Sequence, residues 1–137
     1  MRHQVFGKKL NKDIKERKSL FKNLVASLIL HGKITTSLIK AKAIRGLIDK
    51  LVNKAKEGTL SGRRQLAGFL QRGDEVKKLV DVIAPKFKNR TSGFTRIIKT
   101  DERKGDSSPQ AVIEWVEKVD QKGESKEKAI LKEEKKK

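Results

Sequence analysis

The side chains that could take part in catalysis or metal binding are few in this sequence. His3 and His31 are its only histidines, and neither has a carboxylate or a second histidine at the spacing of a metal site. The chain has no cysteine, which excludes disulfides, thiolate ligands and cysteine nucleophiles. We therefore predict no metal site, and we interpret both histidines as surface or phosphate-contacting residues.

Two short segments share features with active sites but lack the remaining parts. The acidic residues of DERKGD at 101–106 are interleaved with basic ones, which is typical of a polar turn with balanced charge. Gly7-Lys8-Lys9 lacks the GxxxxGK[ST] spacing of a nucleotide-binding loop, and no predicted strand precedes it. Because no set of catalytic groups is assembled, we predict that the protein is not an enzyme and has no cofactor or small-molecule substrate.

Net charge is the strongest feature of the composition. The 137 residues contain 35 Lys and Arg against 17 Asp and Glu, a formal net charge of +18. Residues 1–54 hold 14 of these cations and only 3 acids, and residues 1–12 hold no acid at all. A field of this sign attracts polyanions, whereas a merely solvated surface usually mixes both signs. Nucleic acid is therefore the predicted partner.

The scarcity of aromatic residues indicates which kind of nucleic acid is recognised. Only Phe6 and Phe21 lie within residues 1–54, and Phe21 belongs to the apolar face of a predicted helix. Proteins that bind single strands stack the bases on aromatic side chains, and this region has no such platform. Folded RNA, recognised through its shape and phosphates, is favoured. The polar residues available for hydrogen bonds to sugars or base edges are Asn11, Asn23, Thr35 and Thr36.

Apolar residues at helical spacing predict four helices. These helices span residues 13–31, 38–57, 61–71 and 74–84. Ser37 and Asp74 are predicted to cap the second and fourth helices, and Pro85 is expected to disturb the fourth. In the first helix, Lys15, Lys18 and Lys22 are assigned to the face opposite the apolar stripe.

Three short segments rich in β-branched residues predict strands. They are KITT at 33–36, FTRIIK at 94–99 and AVIEWV at 111–116, with the last two paired through the polar turn between them. The predicted fold is α+β, a two-layer α/β arrangement in the order helix, strand, three helices, two strands. We expect one domain over residues 1–118 that begins with an extended basic arm at 1–12, and a charged, disordered tail at 119–137.

Two other classes of protein remain open at this point. An architectural DNA-binding protein would also be strongly basic, but no β-arm or wedge residue for bending DNA is evident. A peripheral membrane protein needs exposed apolar residues opposite its basic face, whereas the apolar stripes here are better used for packing. No apolar run approaches the roughly 18 residues of a membrane span, and the first residues do not form a secretory signal. The expected location is the cytoplasm.

A set of ordered motifs resembles the L17 family of bacterial large-subunit ribosomal proteins. The motifs are MRH, GKKLN, RKSLFKNL, ITTSLIKAKAIR, RRQ, APKF, SGFTRI and GDSSPQAVIEWV, and the resemblance covers residues 1–118. It implies a structural constituent of the large ribosomal subunit that binds and stabilises folded 23S-type ribosomal RNA. It also implies a place near the polypeptide exit tunnel, beside neighbouring large-subunit ribosomal proteins, where the protein supports assembly and translation.

The resemblance also implies RNA-contacting residues in four parts of the chain. In the arm they are Arg2, His3, Lys8, Lys9, Asn11 and Lys12, and in the first helix they are Arg17, Lys18, Lys22 and Asn23. The segment from the first strand into the second helix supplies Thr35, Thr36, Lys40, Lys42 and Arg45, and the region of the last loop and strand supplies Arg90 and Arg96. The basic start of the third predicted helix adds Arg63 and Arg64 to these candidates.

Overall fold

Helices and a small sheet alternate along the chain in the computed structural model, which describes residues 8–117 and 119. The elements are α1 (Ile14–His31), β1 (Lys33–Ser37), α2 (Leu38–Lys56), α3 (Leu60–Phe69), α4 (Gly73–Lys78), a π-helical segment (Leu79–Ile83), α5 (Ala84–Lys86), β2 (Thr95–Lys99) and β3 (Gln110–Trp115). The predicted α+β class is confirmed. Arg2, His3 and the rest of residues 1–7 lie outside the described residues, as does the predicted tail except for residue 119.

The three strands form one antiparallel sheet in the order β1-β3-β2. Ile113 of the central strand pairs with Ile34 on one side and with Ile97 on the other. The predicted pairing of the last two strands is confirmed. Buried residues alternate along β3 because successive side chains point to opposite faces of a sheet. Helix α2 contacts all three strands and α1 contacts β1, so the helices cover one face and leave the other open.

The core lies between the helices and the covered face of the sheet. Three aromatic rings meet there, with the Phe87 centroid 5.3 Å from that of Phe94 and 5.9 Å from that of Trp115. All three side chains are buried. The indole Nε1 of Trp115 donates a hydrogen bond of 3.3 Å to the backbone oxygen of Leu28, which joins the last strand to the first helix. This bond satisfies the indole donor within the core.

The fourth predicted helix has a different local structure from the expected one. It begins at Gly73 with Arg72 at the N-cap position, so Asp74 lies in the first turn instead of capping it. Pro85 disturbs the helix, as predicted, but does not end it, because the π-helical segment before it is followed directly by α5. A proline lacks an amide hydrogen and clashes with the carbonyl four residues earlier. The wider π turn, closed by the Ala84 amide on the Leu79 oxygen, accommodates that missing bond.

Helix α3 begins and ends one or two residues earlier than predicted, because Thr59 caps it. The Thr59 hydroxyl accepts a hydrogen bond of 3.0 Å from the Gly62 amide. Ser37 occupies the N-cap position of α2, but its side chain makes no capping bond, so the cap predicted there is wrong.

We expect Thr59→Ala to lower the free energy of unfolding by about 1 kcal/mol, the usual cost of losing a capping hydroxyl. Ser37→Ala is the matched control, since its hydroxyl caps nothing. Urea denaturation of both variants measures the difference. Equal destabilisation by the two substitutions would show that the Thr59 bond does not contribute as a cap.

The loop between β2 and β3 is held by a local ion pair. Arg103 donates from Nε and Nη2 to the two carboxylate oxygens of Asp106, at 3.0 and 2.5 Å. The hydrogen bond from Arg103 lowers the pKa of Asp106 to about 2. Asp106 also accepts from the Ser108 amide, and Arg103 pairs with Ser108 through the backbone. The acidic residues at 101–106 thus belong to a polar turn with balanced charge, as the sequence predicted.

Candidate nucleic-acid interface

The residues before α1 form a turn that is tied to the helix. The Lys12 amide donates to the Lys9 oxygen at 3.2 Å, and Leu10 and Asn11 both have positive φ angles, of 55° and 50°. Arg17 donates from Nη1 to the backbone oxygens of Lys9 and Lys12, at 3.4 and 3.3 Å. Residues 9–12 are therefore folded back on the helix, and most of the arm predicted for residues 1–12 lies outside the described residues. One donor group of Arg17 is used inside the protein.

The first turns of α1 extend beyond the core. Ile14 is 73% exposed, and the buried residues of the helix begin only at Val25. Lys15 and Lys18 are exposed, and neither has a hydrogen-bond or ion-pair partner among the residues that the structure describes. This end of the helix therefore presents cations to solvent with little apolar packing of its own.

The predicted placement of Lys18 and Lys22 opposite the apolar stripe is wrong. Lys18 precedes Val25 by seven residues and Lys22 precedes Ile29 by seven, and residues seven apart lie on the same face of a helix. Lys22 is half-buried, with its Nζ 5.9 Å from the ring centroid of Phe69. Lys18 is exposed because the core does not extend as far as its turn.

Helix α2 positions the loop that precedes β2. The carboxylate of Asp49 accepts hydrogen bonds from the amides of Gly93 and Phe94, at 3.4 and 3.3 Å. Lys56 donates to the Arg90 backbone oxygen at 2.6 Å. Arg45 lies one helical turn before Asp49 and is exposed, so the structure brings the face of α2 that carries Arg45 close to this loop.

Several predicted contact residues already have acidic partners. Arg63 lies 3.3 Å from Asp81 and Arg96 lies 2.6 Å from Glu114. The other two pairs are Arg90 with Glu117 at 3.9 Å and Lys12 with Glu16 at 3.6 Å. These pairs are exposed at least on the basic side, where an ion pair contributes little to stability, but each pair reduces the local positive potential.

The two threonines of β1 point to opposite faces of the sheet. Thr35 pairs with Val112 and is exposed on the open face, whereas Thr36 pairs with Ala111 and is half-buried toward the helices. Adjacent strand residues cannot share a face, so only Thr35 of this predicted pair is freely accessible. Arg96 shares the open face with Thr35, since both pair with even-numbered residues of β3.

The unneutralised cations concentrate toward the beginning of the described chain. Among the predicted contact residues within 8–117 and 119, these side chains are exposed and have no ion-pair or hydrogen-bond partner: Lys8, Lys9, Lys15, Lys18, Lys42, Arg45 and Arg64. The same holds in that part of the chain for Lys33, Lys50, Arg72, Lys77, Lys88, Lys99 and Lys104, but these are spread more thinly along the sequence than the four lysines at 8–18. Lys40 also lacks such a partner but is half-buried, and Asn23 is exposed. Clustered charges of one sign raise the local concentration of a polyanion. The N-terminal turn and the start of α1 are consequently the strongest candidate surface.

Sequence reasoning missed two acidic residues that shape this region. Asp49 orients the loop before β2, and Glu75 lies in a cleft between α1 and α4 with a relative exposure of only 4%. Glu75 stands four residues before Leu79 and eight before Ile83, on the apolar stripe of its helix. That spacing indicates that the Glu75 carboxylate lies on the buried face of the helix.

Two negative findings apply to the part of the chain that is described. No three His, Asp or Glu side chains gather there as a metal site would require. Nor is any helix in those residues long and apolar enough to cross a membrane. The described residues thus form a small, strongly basic α+β protein.

Comparison with known proteins gives the family. The model of the ribosomal protein L17 family matches residues 20–116. Two similar proteins are both described as large ribosomal subunit protein bL17. One, from Allorhizobium ampelinum, is 48% identical over 90% of this chain and 88% of its own length, and the other, from Bradyrhizobium diazoefficiens, is 46% identical over 90% and 91%. The chain therefore belongs to the ribosomal protein L17 family, whose members are structural and not enzymes.

Proposed function

We propose that this protein binds and stabilises folded 23S-type RNA of the large ribosomal subunit through its N-terminal region, as part of ribosome assembly and translation. The observation that carries the proposal is the cluster of unpaired cations on the N-terminal turn and on the exposed first turns of α1. Membership of a ribosomal family supplies the polyanion that such a surface needs. In this proposal residues 1–118 are the RNA-binding domain and residues 1–12 its arm.

The protein contributes to binding in two ways. Lysine and arginine side chains neutralise phosphates and release counterions, which favours binding without reading sequence. The turn held by Arg17 and the loop held by Asp49 fix backbone positions, so that their side chains meet the RNA with less loss of conformational entropy. Shape recognition of this kind suits a folded RNA surface.

The proposed location follows from the family resemblance. It is the outer surface of the large subunit near the polypeptide exit tunnel, in the cytoplasm, beside neighbouring large-subunit ribosomal proteins. The open face of the sheet, with Thr35, Ile98 and Val112, is available for contacts in such a crowded setting. Ile98 is 45% exposed on that face.

Ultraviolet crosslinking of the tagged protein in growing cells tests the proposal. We expect sequencing of the attached nucleic acid to return large-subunit ribosomal RNA, and we expect crosslinked peptides from residues 8–45. Crosslinks spread over DNA or unrelated transcripts would contradict the proposal and support an architectural DNA-binding protein instead.

A further inference from the structure

A half-open cleft of about 240 Å³ separates α1 from the turn that joins α3 to α4. Its polar lining comes from Lys22, Asn23 and Ser27 on one side and from Gln71, Arg72 and Glu75 on the other. Lys78 donates to the Leu30 backbone oxygen at 2.7 Å, which fixes α4 against the C-terminal part of α1. The cleft is therefore held by a direct contact between the two helices that form it.

The Glu75 side chain is the unusual feature of the cleft. Only 4% of the residue is exposed, and no residue from 8 to 117, nor residue 119, donates a hydrogen bond or an ion pair to its carboxylate. Thr95 Oγ1 is the sole fully enclosed side-chain oxygen without a partner in that part of the chain, so the Glu75 oxygens open onto the cleft. A carboxylate taken largely out of water without donors is costly, and a ligand with two N–H groups would satisfy it.

The surroundings of Glu75 limit the chemistry of such a ligand. Lys22 and Arg72 line the same cleft, so a purely cationic ligand would be repelled by them. A ligand that combines an anionic group with a pair of neutral donors fits both signs of charge. The apolar side chains of Ala26, Leu30 and Leu70 complete the lining and can cover the face of a flat ring.

We propose that this cleft binds a single guanine nucleotide, with the Watson–Crick edge of the base on Glu75 and the phosphate on Lys22 and Arg72. Guanine presents N1–H and the 2-amino group side by side, which matches the two oxygens of a carboxylate. Adenine and cytosine each present one amino donor beside an acceptor, and uracil presents one N–H between two acceptors. Unpaired bases of RNA loops are commonly recognised on this edge.

The inference rests on the proposed RNA binding. It adds a base-specific site to a protein surface that otherwise contacts the phosphates of the RNA. It makes Glu75 the specificity-determining residue. Lys22 and Arg72 contribute affinity for any nucleotide, because phosphate contacts carry no sequence information.

Binding of fluorescent single-stranded RNA pentamers to the full chain tests this site. The probes are uridine pentamers in which the central base is guanine, hypoxanthine, adenine or uracil. We expect the guanine probe to bind about 5- to 150-fold more tightly than the uracil and adenine probes, the range of one good bidentate base contact. The hypoxanthine probe lacks the 2-amino group and should lose most of that preference.

Glu75→Gln should reduce the guanine preference to less than about threefold, since the amide offers one acceptor in place of two. Asp74→Asn is the matched control, because it removes an adjacent, exposed carboxylate and the same charge without touching the cleft. It should retain the preference. Arg72→Gln should lower the affinity for all four probes by the same factor.

The outcomes separate this inference from the proposed function. Salt-dependent binding of all probes with no guanine preference in the unmodified protein would overturn the guanine site and leave RNA binding intact. Failure of the protein to bind both the pentamers and purified large-subunit ribosomal RNA would overturn both. Competition by guanosine 5′-monophosphate as strong as that of the guanine pentamer would identify a free nucleotide as the ligand, and weaker competition would identify a base within RNA.

Discussion

Replacing Lys9, Lys15 and Lys18 together by glutamine is expected to weaken binding to purified large-subunit ribosomal RNA on the order of 100-fold at 0.1 M salt. Each neutralised phosphate contributes about 0.7 to 0.9 to the slope of log K against log salt. Between 1 M and 0.1 M salt, one such contact raises the binding constant about 5- to 8-fold. The factors for three contacts multiply, which gives a loss on the order of 100-fold when all three are removed. The slope itself should fall by about 2 to 3. Filter binding at several salt concentrations measures both quantities.

The matched control replaces Lys77, Lys99 and Lys104 by glutamine. These lysines are also exposed, but Lys77 follows the two acids of the first turn of α4, Lys99 ends β2 just before Asp101 and Glu102, and Lys104 lies within the same loop, two residues before Asp106. The net charge falls by the same amount in both triple variants. Equal losses of affinity would show that total charge, and not the N-terminal surface, governs binding.

Phe87→Ala is expected to have the largest effect on stability of any single change considered. The Phe87 side chain is 1% exposed and lies between the rings of Phe94 and Trp115. Truncation removes a buried ring and leaves a cavity that its neighbours fill only partly, at a cost of about 3 to 5 kcal/mol. For a domain of this size that is a large share of a total stability of about 5 to 15 kcal/mol. Urea denaturation followed by Trp115 fluorescence gives the value.

Phe21→Ala provides the control for this substitution. Phe21 is only half-buried at the edge of the core, so its truncation removes less surface from contact and leaves no enclosed cavity. The expected decrease in the free energy of unfolding is less than half of that for Phe87→Ala. A comparable loss in the two variants would contradict the central role assigned to the aromatic cluster.

The positions of the helices and strands were largely predictable because the apolar spacing is regular. Ile44, Ile48, Val52 and Ala55 follow a helical period over three turns, and all are buried in α2. AVIEWV was likewise predicted to be a strand, and in β3 Ala111, Ile113 and Trp115 alternate as its buried residues. In each case the local pattern and the tertiary packing favour the same structure, so the secondary structure can be predicted from the sequence.

Local details could not be predicted where the tertiary packing of the surrounding residues decides them. The π-helical segment depends on how the helix adapts to Pro85 while Leu79 and Ile83 remain buried. The sequence analysis predicted a cap at Ser37 and none at Thr59, whereas in the structure the Thr59 hydroxyl makes the capping bond and the Ser37 hydroxyl does not. Such choices involve about 1 kcal/mol, which the surrounding packing easily overrides.

The candidate interface was predictable in its charge but not in its arrangement. The excess of cations near the N-terminus is a property of composition, and it is present in the folded chain. The pairing of Arg63 with Asp81 and of Arg96 with Glu114 joins residues 18 positions apart, which no local pattern reveals. The burial of Glu75 also required the fold, although its position on the apolar stripe was a visible sign.

The hydrogen bond between Trp115 and Leu28 has a consequence for synthesis on the ribosome. It links residues 87 positions apart, and the strand that carries Trp115 is also the centre of the sheet. Strand β1 therefore has no partner until β3 has been translated and has left the exit channel. During that interval the nascent chain exposes the apolar side of α1 and α2. The native structure can therefore be completed only after β3 has emerged, and until then those apolar faces are open to aggregation.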